Sequence, residues 1–139
     1  MSTSTTILLV GLAVTIFAIT IALVRRGNAR TAALGGRRLE VRTAAGPEAV
    51  LARLRDLGPP YRTDDEDAAR RVLVLSSRPT LATWGFFYPI FIHADGTGSR
   101  IEVGIKSRFI QVGPLVTAAH KQCVAAIEAA LGLPVARVA

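Results

Sequence analysis

This sequence is nearly without cysteine, histidine and lysine, which number one, two and two in 139 residues. A single cysteine cannot pair inside the chain, so a disulfide scaffold is excluded. Cys123 and His120 stand three residues apart on a helical pattern, and His93 is the only other soft ligand, too few for a zinc site. Charge is scarce as well, at 19% of residues against 50% apolar, and the mean hydropathy is +0.39. Disordered chains have the opposite balance, so free-standing disorder is excluded. Length alone excludes a multidomain enzyme. Acid is the scarcer sign, with ten Asp and Glu against seventeen Lys and Arg and a formal net charge of +7.

The apolar residues are concentrated at the front. Ile7 to Val24 reads ILLVGLAVTIFAITIALV, eighteen residues without a charge. As a helix this run covers about 27 Å, and extension through Thr5 and Thr6 matches the ~30 Å hydrocarbon core of a bilayer. Its β-branched residues are no obstacle, because a chain in lipid must satisfy its own backbone hydrogen bonds. A cleaved signal peptide fits poorly. No Lys or Arg precedes the run, it exceeds the usual length of about 7–15 residues, and a basic segment follows it directly. Residues 1–24 are expected to be a retained transmembrane anchor. Within it Gly11, Ala18 and Ala22 fall on roughly one face, where small residues let a second transmembrane helix approach.

Charge then predicts orientation. Residues 25–38, RRGNARTAALGGRR, hold five arginines and no acid. Such flanks stay on the cytoplasmic side, so the amino terminus is expected outside the cell membrane and the remainder in the cytoplasm. Arg25, Arg26 and Arg30 are assigned to anionic lipid headgroups. Beyond Leu39, twelve basic residues face ten acidic ones, so the excess charge belongs to the flank and not to the domain. A nucleic-acid partner, which needs a basic face on the domain itself, is therefore not expected. Residues 25–36, with Gly27, Gly35 and Gly36 among small polar residues, read as a short flexible linker, and residues 37–139 as one α+β domain.

In that domain Leu39, Val41 and Thr43 alternate with Glu40 and Arg42, the pattern of a half-buried strand. Gly46-Pro47-Glu48 opens a helix that Gly58-Pro59-Pro60 stops. Strands are predicted over 71–77, 83–93 and 99–107, the last two joined by Asp95-Gly96-Thr97-Gly98. Gly113-Pro114 opens a long helix with Val116, Ala119, Cys123, Ile127 and Leu131 as its buried stripe. The order is β-α-β-β-β-α, which favours an antiparallel sheet with both helices on one face.

No pattern carries chemistry. Asp64-Asp65-Glu66-Asp67 lacks the alternate spacing and central glycine of a calcium loop, and reads as a solvated acidic turn. Gly96 and Gly98 precede no helix and make no phosphate loop. No triad or carboxylate pair stands out, so neither catalysis nor a metal or cofactor is expected of this chain. One segment does exceed background: five of the eight aromatics lie in residues 84–91. On a strand Trp84, Phe86 and Tyr88 point one way, Phe87 and Phe91 the other, and Pro89 argues for an edge, a bulge or a break. A two-layer domain has one core face to fill. The doubled apolar pattern predicts a strand covered on both sides, a loop over 84–88 folded back over the core, or an exposed patch for a protein partner or a bilayer surface, formed by Trp84, Phe86, Phe87 and Tyr88. The patch is the reading adopted, with Trp84 and Tyr88 outside and Phe91 in the core.

An uncharged span, the flank RRGNARTAALGGRR, a small α+β domain ending in GPLVTAAHKQCVAAIEAALG, and fifteen arginines against two lysines make a familiar architecture. As architecture, over the whole chain, it resembles the small single-span accessory subunits of actinobacterial membrane complexes. The nearest likeness is to those of the mycobacterial cytochrome c oxidase supercomplex, a respiratory electron-transport assembly. That resemblance implies a non-catalytic assembly role beside integral membrane subunits, with haem and copper held elsewhere. The alternative is a membrane-tethered module whose sheet and long helix enclose a lipid or another apolar ligand.

Overall fold

A computed structural model describes residues 2–24, 26–29, 32, 36–80, 84–107 and 113–133. The first helix, α1, runs over Thr3–Val24, 22 residues or about 33 Å. It is long and apolar enough to cross a membrane, and none of its apolar window is buried against the rest of the chain. Ile7, Leu8 and Phe17 are 66%, 73% and 67% exposed. The few polar side chains are satisfied within the helix: the Thr15 and Thr20 hydroxyls donate to the carbonyls of Gly11 and Ile16, each at 2.8 Å. Gly11 lies exposed along it and Ala18 is partly exposed, whereas the side chain of Ala22 and both Arg25 and Arg30 fall outside the described residues.

The domain follows its periodicities with one exception. Its elements are β1 (Arg38–Thr43), α2 (Pro47–Arg55), β2 (Tyr61–Asp67), β3 (Val72–Ser77), β4 (Phe86–Asp95), β5 (Gly98–Gly104), β6 (Lys106–Ser107) and α3 (Pro114–Ala130). The strands form one antiparallel sheet in the order β1-β5-β4-β3-β2, with β6 continuing beside β4. The exception is β2. The expected acidic turn is instead an edge strand paired along β3, with a register shift between Thr63 and Asp65. Charged side chains on an edge strand deter pairing with other chains, and here they also hid the strand's alternation. The connection to β3 is tight enough to hold Arg71 at φ 55°, in the left-handed region. Pro89 sits inside β4, not at an edge. It pairs with Val74 on one side, while on the other Tyr88 and Pro89 fall in the gap between the β5 and β6 ladders, where a missing N–H leaves no bond unmade.

Both helices pack on one face of the sheet, as the pattern predicts. Val50, Leu51 and Leu54 of α2 and Val116, Cys123, Ile127 and Leu131 after them meet Leu73, Leu75, Phe86, Tyr88, Ile90, Ile92, Ile101 and Val103 from the strands. Each fully buried side chain of this kind contributes about 1.5–3 kcal/mol. His120 joins the α3 stripe at 5% exposure, its Nε2–H donating to the Val103 carbonyl at 2.7 Å.

The opposite face is not bare. Val72, Val74 and Phe87 are 1%, 3% and 5% exposed beneath Ala29, with Ala32 and Phe91 packed at the margin. Residues 27–29, expected as flexible linker, are docked across the sheet as a strap. A two-layer domain thus becomes locally three layers deep.

Candidate functional site

The aromatic segment is built into the fold and not displayed by it. Phe86 and Tyr88 are each 2% exposed in the main core, and Phe87 lies under the strap. The expected partner surface of Trp84, Phe86, Phe87 and Tyr88 is corrected accordingly: three of its four members are buried within the chain, and Trp84 is half-buried. Tyr88 and Phe91 are interchanged relative to expectation, with Tyr88 inside and Phe91 partly exposed on the outer face. The alternation itself is correct. The alternative of a strand covered on both sides is the one the structure shows, and the cover is the segment read as linker.

Two features emerge around this segment. The first is a half-open cleft of about 280 Å³ between α3 and the β2–β4 edge. Tyr61, Phe86 and Tyr88 form its floor, Leu115, Ala118 and Ala119 its α3 wall, and Pro60, Arg78 and Thr80 belong to its rim. The floor rings interlock, Tyr61 edge-on to Tyr88 with centroids 5.6 Å apart and Phe86 tilted against Tyr88 at 6.3 Å. Burial pushes the Tyr88 hydroxyl up to about 12 despite its contact with Ser77, and pushes Tyr61 up as well. Both phenols therefore stay neutral at physiological pH, and the cleft presents an apolar floor with hydroxyl donors at its margin. Leu115 is 50% exposed and is, among the described residues, the one exposed large apolar side chain outside α1.

The second feature is the strap's anchorage in the acidic strand. The Gly27 N–H donates to Asp64 Oδ2 at 2.7 Å and the Ala29 N–H to Asp65 Oδ2 at 2.9 Å. The Asp64 side chain is fully buried, and its Oδ1 also accepts from the Ser76 hydroxyl at 2.7 Å and Arg62 Nε at 2.9 Å. A carboxylate satisfied by three donors is a strong buried contact, because each bond is charge-assisted. Only glycine fits at position 27, where a Cβ would stand 2.2 Å from Val74 Cγ1. Sequence reasoning took Asp64 and Asp65 for solvated charges. The one available signal was the run of four acids opposite a basic linker that could be drawn onto them.

Elsewhere the outer face of β1 and β5 carries a polar network. Arg100 reaches Glu102 at 2.5 Å and Glu40 at 3.7 Å, with His93 at 3.4 Å from Glu102. Burial raises the Glu102 carboxyl, but its hydrogen bonds and charge contacts with Arg100 and His93 outweigh this and hold it below the ordinary range. His120 and Cys123 are both buried on α3, His120 bonded to the Val103 carbonyl and Cys123 fully buried in the main core, where burial pushes its thiol far up. Among the described residues no three His, Cys, Asp or Glu converge as a metal site would require.

No protein-family model matches this chain. No curated protein matches it either. Among solved structures, the crystal structure of Ara h 8.0201 superposes with a TM-score of 0.52, over 68% of this chain and 93% of that one, at 13% identity. At such identity the likeness is one of fold. The chain is an α+β protein with an antiparallel sheet and a C-terminal helix, preceded by one long apolar helix.

Proposed function

We propose that this chain is a membrane-anchored binding module, a helix-grip domain that holds an apolar ligand in the cleft between α3 and the β2–β4 edge. The observation that carries the reading is the cleft itself: an aromatic floor, an α3 wall of small residues and a half-exposed Leu115 at its mouth. An apolar cavity with a few polar groups at its margin is the usual form of a small-molecule site, and about 280 Å³ lies at the small end of that class. The fold likeness is compatible with it. In this reading α1 is retained as the anchor, and the arginines after it keep the domain on the cytoplasmic side. In this reading the module binds and does not catalyse.

Purification of the full chain in mild detergent, organic extraction and mass spectrometry test the reading. The expected result is a recurrent apolar molecule that is absent from Ala118→Trp, whose indole fills the cleft. Equal recovery from both proteins refutes it. The second reading, an accessory subunit of a membrane complex of the respiratory oxidase kind, rests on the small residues of α1, the exposed Gly11 and the partly exposed Ala18. It expects the same purification to return fixed protein partners and no ligand, and Gly11→Leu with Ala18→Leu to release them.

A further inference from the structure

The strap has a direction, and that direction orients the cleft. Gly27 lies against Val74 and Phe87 and is bonded through Asp64 to Ser76, whose neighbour Ser77 lines the cleft. Two residues on, the Ala29 carbonyl accepts from Arg70 Nη1 in the turn at the far end of β3. From Gly27 onward the chain therefore runs away from the cleft end of the sheet. α1 closes only three residues before Gly27, at Val24. Three residues span at most about 11 Å. The last turn of α1 thus lies close to the cleft end of the domain.

Two independent features mark the same end. Leu115, the exposed apolar side chain, stands at the cleft mouth. Among the described residues, the exposed charges at this end of the sheet are mostly basic: Arg26 before the strap, Arg37 and Arg38 opening β1 beside Gly104, Arg78 on the rim and Lys106 paired with Phe87, with Asp56 as an acid among them. At the far end arginines are matched by acids, Arg42 to Asp95 and Arg71 to Glu48, each at 3.2 Å. Among the described residues, an exposed large apolar side chain with mostly basic exposed charges at the same end suits an anionic lipid interface.

We propose that the cleft opens onto the bilayer that holds α1 and takes up an acyl chain of an anionic lipid directly from the adjoining leaflet. This rests on the ligand-binding reading above and adds the ligand's class and its route. About 280 Å³ admits part of one chain and no headgroup, so the headgroup stays outside, beside Arg78 on the rim. The strap acts as the positioning element: by fixing residues 27–29 to the sheet it prevents the domain from turning its cleft away from the membrane.

The test uses the full chain in nanodiscs of phosphatidylcholine containing phosphatidylglycerol with a diazirine in one acyl chain. After photolysis, mass spectrometry locates the label, and anilinonaphthalene sulfonate added from solution reports cleft occupancy independently. Label is expected on Leu115, Ala118 or Tyr61, and is expected to be lost in Ala118→Trp. Gly27→Ala should lose the cleft label while still binding the soluble dye, and Arg78→Glu should weaken labelling by phosphatidylglycerol more than by a phosphatidylcholine probe. Dye binding sensitive to Ala118→Trp without lipid label in the cleft overturns the bilayer route and leaves the ligand-binding reading standing. Absence of both overturns the two together. Unchanged labelling in Gly27→Ala, or equal labelling by both lipids, overturns the strap's role or the anionic preference respectively.

Discussion

Truncating Asp64 measures how firmly the strap is held. Its two oxygens do different work: Oδ2 takes the Gly27 N–H, while Oδ1 takes the Ser76 hydroxyl and Arg62 Nε. Asp64→Ala removes every acceptor and leaves the Gly27 N–H facing a buried surface. A hydrogen bond to a charged group contributes about 1.5–3 kcal/mol, so opening of the strap should become roughly tenfold to a hundredfold easier. Asp64→Asn is predicted to be much milder. The amide can keep its oxygen toward Gly27 and turn its NH2 toward Ser76, whose hydroxyl accepts as well as donates, and only the partly exposed Arg62 loses its partner. Glu40→Gln is the control, because the Arg42–Glu40 pair is 67% and 43% exposed and surface pairs are worth at most about 1 kcal/mol. Amide hydrogen exchange at Gly27 and Ala29 in the full chain is the assay. The expected order of protection is parent, then Glu40→Gln together with Asp64→Asn, then Asp64→Ala far below. Unchanged protection in Asp64→Ala would refute the anchorage, and an asparagine as harmful as alanine would show that net charge, not hydrogen-bond geometry, holds the strap.

Tyr88→Ala should cost about 3–5 kcal/mol in denaturant unfolding, the range for deleting a large buried aromatic, and Phe91→Ala distinctly less from its partly exposed position. Equal losses would contradict the assignment of their faces. His120 supplies a pH signature: burial lowers its pKa, only partly offset by its bond to the Val103 carbonyl. The unfolded chain then takes up a proton near its ordinary value of about 6.5, before the folded chain does, so stability should fall as pH drops through that value and level off once the folded form is also protonated. His120→Gln, which retains an N–H donor for Val103, should flatten melting temperature against pH in this range; an unaltered slope would assign the effect to another group.

Much of the fold was legible because burial writes periodicity. The α3 stripe, the Pro47 and Pro114 helix starts and the β4–β5 hairpin are local signals, and the structure follows them. The β2 strand was hidden for a definite reason. YRTDDED carries no apolar alternation, since an edge strand is held by backbone pairing to β3 and needs little burial of its own. The cleft was equally illegible, because its lining comes from β2, β3, β4 and α3, segments far apart in sequence that only the sheet order brings together. Pro89 argued for an edge, a bulge or a break, and it sits inside β4 opposite an interruption of the ladder. Proline is excluded from a ladder only where its N–H is required, and a strand interrupted opposite it, as β5 and β6 are, removes the requirement.

The outer face of the sheet shows how a correct inference can reach a wrong occupant. Val72, Val74, Phe87 and Phe91 are apolar on the side away from both helices, and such a face must be covered. A partner is the natural candidate when the neighbouring segment reads as flexible linker, and glycine and small polar residues do read that way. Yet the same smallness is what the strap needs. Gly27 can lie against Val74 because it has no Cβ, and Ala29 fits over Val72 and Phe87 where a larger side chain would hold the backbone off Asp65. Small residues beside an unpaired apolar face are thus as consistent with close docking as with freedom. What decides between them here is the pair of carboxylates at Asp64 and Asp65, placed to receive the N–H groups that docking would otherwise strand.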